Sequence, residues 1–357
     1  MYAKSLVSVL CLSVISLTGC GGGGGDVGTP TTSSSVVSSI SSSSSSSSSI
    51  SSSLSVQMRN DAATQTADTT TNCQAIQPFY WEIGDKDGAL GSASTGDNSY
   101  NASTVMPIAS ASKWVFGAYV AQVRAGQLTD ADIAALTMRA GYTNFDELSC
   151  VRLVPSVQNA MTVNECFQLD NGNGFNNDYD ANALGKFSYN GGHFQKLAVD
   201  LGLDLHNNAA LRTAYQAQLG SDFELSFGPP QLAGGMSTSA AQYAIFLRKI
   251  LNNQLYMHDL LGTHSTCTNL LTCVDSLYTP VPANREFDYS IGHWVETDSV
   301  IGDGSFSSAG AFGFYPWIDA TKNYYGVLAR KAAFGSGSES MECGRLIRKA
   351  WMTGVVQ

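Results

Sequence analysis

A serine and a lysine three residues apart carry the clearest chemical signal in this sequence. Ser110-Ala111-Ser112-Lys113 is the only S-x-x-K in the chain. Positions i and i+3 of a helix share one face, so the hydroxyl and the amine can touch. A serine hydroxyl becomes a nucleophile when a neighbouring base takes its proton, and a lysine can be that base when burial lowers its pKa. The spacing predicts a nucleophilic serine with a lysine partner.

Five short segments, in order along the chain, extend this signal. Met106–Lys113 resembles the nucleophile segment of the serine β-lactamases and penicillin-binding proteins, in particular the class C-like branch with its family VIII carboxylesterases. The other four segments resemble further parts of the same family: Met161–Cys166 before the second motif, Phe187–Gly192 around Tyr-x-Asn, Ala233–Thr238 as Gly-Gly-x-x-Ser-Thr, and Ser308–Gly313 where the family has Lys-Thr-Gly or His-x-Gly. The likeness covers nearly all of residues 75–355.

The resemblance implies a role for each matching residue. Ser110 would be the nucleophile that forms an acyl-enzyme, and Lys113 would be the general base or a proton-shuttle partner. Tyr189 would be the second proton-transfer residue, acting as phenolate or through Lys113. The backbone N–H groups of Ser110 and Ala311 would form the oxyanion hole. The predicted substrate-binding residues are Asn190, Ser308, Ala309 and Gly310.

Two positions depart from the family's pattern. The asparagine expected two residues after Tyr189 is Gly191, with Asn190 shifted by one, and Ser308 stands where a lysine or histidine is expected. In the family that group helps to hold a substrate carboxylate, so its loss favours a neutral ester or amide. The resemblance thus implies an esterase or amidase acting on a small or oligomeric substrate.

Two alternatives to that activity remain open. A β-lactamase or D-Ala-D-Ala carboxypeptidase would be favoured by a cation, such as Arg330, that reaches Ser308 from elsewhere in the chain. A non-catalytic binding lipoprotein with the same fold is the second alternative, because either departure could mark a relative that has lost turnover.

The first residues predict export and a lipid anchor. Lys4 and the short apolar run 6–17 are typical of a secretory signal peptide over residues 1–19, because a spanning helix needs about 20 apolar residues. The run ends Leu17-Thr18-Gly19-Cys20, which resembles the lipobox of bacterial lipoproteins and implies acyl chains on Cys20; an ordinary cleaved signal is the alternative. Gly21 in place of an aspartate implies the outer membrane, facing periplasm or exterior.

The composition changes sharply after the signal. Residues 20–72 open with a glycine run and continue with a long poly-Ser tract, which predicts a disordered tether. Residues 73–357 are expected to form the hydrolase domain. The net charge of −10 and the pI of about 4.8 argue against a nucleic-acid partner, so the expected partners are the substrate and a membrane reached through the lipid. No metal or cofactor is expected.

Six cysteines remain once Cys11 leaves with the signal and Cys20 is lipidated. An even number in an oxidising compartment predicts three disulfides. The expected pairs are Cys267 with Cys273 across a short loop, Cys150 with Cys166 as the next most local choice, and Cys73 with Cys343 between the ends of the domain. The sequence alone leaves other connectivities open. None shows C-x-x-C spacing, so zinc and thioredoxin-like chemistry are disfavoured.

Strand and helix patterns predict the fold class. The domain opens on a hairpin signal, continues with helical spacings and closes on two strand patterns and a helix. In chain order these segments are Phe79–Gly88, Lys113–Val123, Asp132–Arg139, Ala240–Leu251, Phe312–Ile318, Asn323–Ala329 and Glu342–Met352. Strands at both ends with helices between them predict an α+β fold. With the resemblance, we expect a β-lactamase-like antiparallel sheet built from both chain ends and flanked by helices, plus a mostly helical middle subdomain.

Overall fold

The computed structural model describes residues 54–357. The predictions for the signal peptide, for Cys20 and for residues 20–53 of the tether lie outside this range. The helices are α1 Val56–Thr69, α2 Thr71–Gln74, α3 Ser112–Val123, α4 Asp130–Leu136, α5 Pro155–Ala160, α6 Val163–Phe167, α7 Gly192–Ala198, α8 Asn208–Leu219, α9 Ala240–Leu251, α10 Met257–Leu260 and α11 Gly337–Thr353. Shorter helical turns are Ala109–Ala111, Glu147–Cys150 and Val199–Leu203.

The strands include several of only two or three residues. They are β1 Phe79–Asp85, β2 Ala89–Thr95, β3 Met106–Pro107, β4 Phe187–Ser188, β5 Ser226–Phe227, β6 Met236–Thr238, β7 Thr266–Cys267, β8 Ser276–Tyr278, β9 Asp288–Tyr289, β10 Trp294–Val295, β11 Phe306–Ser307, β12 Tyr315–Ile318 and β13 Tyr324–Ala329. Among residues 54–357, none of the helices combines the length and the apolar character needed to cross a bilayer.

The largest sheet in the described range joins the two ends of the domain. Its eight strands run in the order β2-β1-β13-β12-β11-β10-β9-β7 and pair antiparallel. Strand β1 lies between β2 and β13, with Tyr80 opposite Ala329 and Asp85 opposite Tyr324. The α+β fold with a sheet built from both chain ends is therefore confirmed.

Helices cover both faces of this sheet. Successive side chains of a strand point to opposite faces, and β13 shows both directions. Tyr325 meets Arg248 of α9 at 3.0 Å, whereas Leu328 lies beside Gly344 of α11. Every residue of β12 is buried in consequence. The chain between β2 and β7, the two edge strands of this sheet, is mostly helical, as expected for the middle subdomain.

Helix α3 runs through the core and is buried continuously from Ser112 to Ala121. Its apolar side chains therefore contact the rest of the molecule on all sides, which explains a helix without a polar face. The small sheet β3-β6-β5 fixes its start, with Met106 opposite Thr238. This arrangement holds the S-x-x-K segment rigidly at the junction of sheet and helices.

The structure corrects the predicted end of the tether at residue 72. Helix α1 packs against α11 and β2, and Ser55 caps it by accepting a hydrogen bond from the Met58 N–H at 3.2 Å. Its buried face consists of small side chains, which allow a close approach to α11: Ala62, Ala63, Thr66 and Ala67. The segment lacks large apolar residues on that face, so its composition indicated disorder although tertiary packing makes it helical.

The three predicted disulfides are confirmed. Cys73 of α2 is joined to Cys343 of α11, which links the beginning of the domain to its last helix. The other two bridges close local loops, between Cys150 and Cys166 and between Cys267 and Cys273.

Candidate active site

Ser110 lies in the 3₁₀ turn that leads directly into α3. Ala109 has a φ of +44°, a left-handed conformation that costs a residue with a Cβ about 1 kcal/mol. The Ser112 hydroxyl donates a 2.6 Å hydrogen bond to the Ala109 carbonyl and accepts one of 3.3 Å from the Met236 N–H. These bonds hold the strained turn, which leaves Ser110 half-buried at the start of the helix.

Lys113 is buried next to this serine. The side chain is only 2% exposed, and its Nζ lies 3.0 Å from Ser110 Oγ and 2.9 Å from the Ala233 carbonyl oxygen. Burial lowers the pKa of Lys113 to about 8, and the negative charge of Glu147 opposes this shift without cancelling it. None of the ion pairs within residues 54–357 includes Lys113, so an amine without an ion-pair partner touches the hydroxyl.

Tyr189 joins the same cluster from the turn after β4. Its ring centroid lies 4.7 Å from Lys113 Nζ, and the ring stacks on Trp294 at 5.3 Å. Burial raises the pKa of Tyr189, although contact with the Ser110 side chain lowers it in part. The structure thus brings together all three residues predicted to be catalytic, with the Lys113 amine in contact with both Ser110 Oγ and the Tyr189 ring.

The two backbone N–H groups predicted for an oxyanion hole have no protein partner in the described part of the chain. Neither Ser110 nor Ala311 donates its N–H to an acceptor among residues 54–357. The backbone of Ala311 is fixed through its carbonyl oxygen, which accepts hydrogen bonds from the N–H groups of Gly335 at 2.9 Å and Ser336 at 3.0 Å. Unpaired, fixed donors are what an oxyanion hole requires.

The segment after β11 supports the backbone of Ser110, the predicted nucleophile. Ser308 is 3% exposed, and its hydroxyl donates to the Ser110 carbonyl oxygen at 3.0 Å. A Cβ on Gly310 would lie 2.1 Å from the Ile108 carbonyl oxygen, so only glycine permits this close approach. Ala309 is half-buried between them. Ser308 and Gly310 therefore position the site's wall, and the Ser308 hydroxyl points to the backbone rather than into open space.

The structure corrects the predicted substrate-binding role of Asn190. The Asn190 Oδ1 accepts from the N–H groups of Phe145 at 3.3 Å and Gly192 at 2.8 Å. Its Nδ2 donates to the carbonyl oxygens of Thr143 at 3.0 Å and Phe145 at 3.1 Å. All four hydrogen-bonding positions of the amide are used. Asn190 therefore ties the loop at residues 143–145 to the turn that carries Tyr189.

Glu147 is a neighbour of the site that the sequence did not indicate. The exposed side chain lies against the Tyr-Asn-Gly turn, where a Cβ on Gly191 would be 3.1 Å from Glu147 Oε1. The Gln231 side chain donates to the Glu147 carbonyl oxygen and fixes the loop. The negative charge of Glu147 raises the pKa of both Lys113 and Tyr189. A lone glutamate in a loop has no motif, so only the folded chain shows this proximity.

Two other charged or titratable groups near the site are used by the scaffold. Arg330 is 7% exposed and donates to Glu339 and Ser340, each at 2.8 Å, so its guanidinium is engaged on α11 and not at Ser308. His193 is buried, and burial lowers its pKa to about 4. Within residues 54–357, no group of three or more His, Cys, Asp or Glu side chains is arranged to hold a metal ion.

Solved structures share this fold, although no protein-family model and no curated protein matches the sequence. D-amino acid amidase from Ochrobactrum anthropi is 11% identical over 83% of this chain and 98% of that chain, with a TM-score of 0.56. A provisionally assigned β-lactamase from Bacteroides dorei is 19% identical over 77% and 93%, with a TM-score of 0.52. A penicillin-binding protein from Bacillus halodurans is 16% identical over 74% and 94%, with a TM-score of 0.50.

These likenesses show that the chain has the fold of these β-lactamase, penicillin-binding protein and amidase structures, which is the fold that the five sequence segments predicted. The activity of this chain has to be argued from its own residues, because identities this low show the architecture alone.

Proposed function

We propose that this protein is a serine hydrolase that forms an acyl-enzyme on Ser110 and acts on esters or amides. The observation that carries the proposal is the buried Lys113, whose Nζ is 3.0 Å from Ser110 Oγ and whose pKa is lowered to about 8. At pH 7 about a tenth of such lysines are neutral, against about one in 3000 at the ordinary pKa. A neutral amine at this distance can take the hydroxyl proton.

The proposed reaction has two steps. Ser110 Oγ attacks the substrate carbonyl carbon while its proton passes to Lys113 Nζ, and the N–H groups of Ser110 and Ala311 stabilise the resulting oxyanion. The bond to the alcohol or amine then breaks, and that group leaves with the proton. Water attacks the Ser110 ester, gives its proton to the same relay, and releases the carboxylic acid with the free serine.

Tyr189 serves this reaction as a protonated relay. Burial raises the pKa of Tyr189, so a phenolate is disfavoured at neutral pH. A phenol next to both Ser110 and Lys113 can pass a proton from the amine to the leaving group. The site therefore supports relay through Lys113 better than a tyrosinate base.

The charges around the site favour neutral substrates over β-lactams. The position where the family has a lysine or histidine holds Ser308, whose hydroxyl is bonded to the Ser110 backbone. Arg330 is paired with Glu339, and Glu147 adds a negative charge beside Gly191. Neither Ser308 nor the paired Arg330 offers a free cation to a substrate carboxylate. A β-lactamase or D-Ala-D-Ala carboxypeptidase is the alternative that the test must separate.

We also propose that the hydrolase is held at the bacterial cell envelope by acyl chains on Cys20, a residue that precedes the described range. The support is the sequence Leu17-Thr18-Gly19-Cys20 at the end of the apolar run. Metabolic labelling with an alkyne fatty acid should mark the native protein and should not mark a Cys20→Ser variant. Equal labelling of both would overturn the anchor.

The catalytic proposal is tested with three acylating probes on the full-length protein. Wild type, Ser110→Ala and the exposed-serine control Ser103→Ala are treated with p-nitrophenyl butyrate, a fluorophosphonate and a fluorescent penicillin. We expect ester turnover and a phosphonate adduct in wild type and Ser103→Ala, and neither in Ser110→Ala. A penicillin adduct on Ser110 would establish the alternative activity. No turnover or adduct dependent on Ser110 would overturn the enzyme and leave a binding protein.

A further inference from the structure

Exposed apolar side chains in the described range concentrate in two loops. The first apolar loop is residues 148–157 and the second is residues 270–278. Leu153 is 98% exposed in the first and Val274 is 92% exposed in the second. The full set is Leu148, Val151, Leu153, Val154 and Val157 in the first loop, and Leu270, Leu271, Val274, Leu277 and Tyr278 in the second. Clusters of this kind mark interaction surfaces.

Both loops are attached to the segment that carries Tyr189. The second loop ends in β8, which pairs in parallel with β4, and the Tyr189 N–H donates to the Tyr278 carbonyl oxygen at 3.0 Å. The first loop directly follows Glu147, which contacts the turn at Gly191. The Asn190 side chain forms hydrogen bonds with the backbone of Phe145, which lies just before the first loop. The apolar surfaces therefore adjoin the candidate active site.

Covalent and polar contacts hold these loops in place. The disulfide Cys150–Cys166 closes the first loop onto α6, and Cys267–Cys273 closes the start of the second. Arg152, the only charged residue of the first loop, turns its guanidinium back to the carbonyl oxygens of Ser149 and Val151, at 2.6 and 3.0 Å. The apolar side chains consequently point outward from a fixed backbone and do not collapse into the core.

The charge of the two loops contrasts with that of the whole chain. The protein has a net charge of −10, whereas Arg152 and Asp275 are the only charged residues in the two loops together. An apolar rim without net charge on an acidic protein suits an uncharged apolar occupant and offers little to an ionic one. A shallow cavity of about 470 Å³ adjoins the first loop, lined by Ser156, Val157, Ala160, Met161 and Glu165.

We propose that the two apolar loops dock the protein onto a water-insoluble neutral ester and receive its long apolar acyl chain beside Ser110. The inference rests on the proposed function, because it names the substrate class of that same site. Side chains from both loops contact the ester surface while one ester bond enters the site. The loops contribute to binding and lie outside the bond-breaking machinery.

Chain-length dependence tests this assignment in the full-length protein. The variant Leu153→Ser/Leu271→Ser removes one exposed leucine from each loop, and Val300→Ser, which replaces a side chain 84% exposed outside both loops, is the control. We expect kcat/KM on dispersed p-nitrophenyl dodecanoate to fall at least tenfold in the double variant alone, with p-nitrophenyl acetate changed less than twofold. An equal loss on both esters, or no loss on either, would overturn the docking role.

Flotation gives a readout that does not need turnover. Proteins carrying Ser110→Ala and Cys20→Ser are mixed with a triolein emulsion, so that neither hydrolysis nor an acyl anchor contributes. We expect these proteins to float with the emulsion and the added loop substitutions to abolish flotation, even if the proposed hydrolase activity is absent. Failure to float, or equal flotation with phosphatidylcholine vesicles, would overturn the ester surface as the occupant.

Discussion

Lys113 and Arg348 are both buried almost completely, and their surroundings have opposite effects on them. Arg348 of α11 donates to Glu296 at 2.6 Å, to Asp303 at 2.7 Å and to the Tyr315 hydroxyl at 2.8 Å. Burial alone would lower its pKa, yet the neighbouring acidic groups raise the pKa of Arg348 above its usual value. Lys113 has a carbonyl and a hydroxyl for partners, so burial prevails and its pKa falls to about 8.

This difference separates a structural charge from a reactive one. A buried cation with carboxylate partners keeps its proton and joins parts of the fold. A buried cation without them gives its proton up easily and can act as a base. Burial is the same in both places, so the partners decide which residue is available for chemistry. The predictions below alter the partners or the cations themselves.

Removing the reactive cation has the largest expected effect. Lys113→Met keeps the volume but removes the base, and we expect kcat/KM on p-nitrophenyl butyrate to fall by about 10³-fold or more. The exposed control Lys331→Met should keep full activity. A Lys113→Met protein with more than a tenth of the wild-type rate would contradict the role of the lysine.

The same variant should be more stable than wild type at neutral pH. The folded-state pKa of Lys113 is about 8, below its unfolded value, so the unfolded chain binds more protons between about pH 8 and 10.5. Stability therefore rises with pH through that window, and below it the buried ammonium costs roughly 3 kcal/mol. Urea denaturation at pH 7 measures the gain in Lys113→Met.

Breaking the structural cluster around Glu296 should instead destabilise the protein. Glu296→Gln leaves Arg348 and Arg345 buried without the carboxylate they share, and we expect a loss of about 3–5 kcal/mol in the free energy of unfolding. Urea denaturation checks this against Glu224→Gln, an exposed substitution. A change below about 1 kcal/mol would show that the cluster is not the structural element described here.

The pH profile follows from the pKa of Lys113, which is about 8. Catalysis needs the neutral amine, whose fraction falls tenfold for each pH unit below the pKa. We expect kcat/KM to decline from about pH 8 towards pH 6 with that slope and to level off above pH 8. This profile is measured from initial rates, after the background rate of Ser110→Ala at each pH has been subtracted. A flat profile from pH 6 to 8 would rule out the lysine as the titrating base.

Neutralising Glu147 has the smallest expected effect. Its charge raises the pKa of Lys113, so Glu147→Gln should lower that pKa further and move the acidic limb of the profile to lower pH. The shift should be on the order of a few tenths of a pH unit, because the carboxylate is exposed and screened. Glu224→Gln is the matched control. A shift of the acidic limb to higher pH would contradict the predicted effect of the Glu147 charge on Lys113.

The sequence predicted contacts between neighbouring residues well, but it predicted only some of the contacts between residues far apart in the chain. Ser110 and Lys113 are one helical turn apart, so their contact follows from spacing. Tyr189 is distant along the chain and was recognised only through the family pattern. Helix α1 was missed because its buried alanines gain their stability from α11, which no local pattern contains. Glu147 and Asn190 depend on the path of an irregular loop, and that path is set by packing.

The pairing of β1 with β13 also determines when the domain can be completed. Residues 80–85 pair with residues 324–329, so a growing chain exposes an unpaired edge of β1 until residues 324–329 have been made. Such distant pairing slows folding much more than it reduces final stability. A polypeptide interrupted before residue 324 would present β1 as a free edge, a site for association with other chains. The synthesis of β13 therefore closes the free edge of β1.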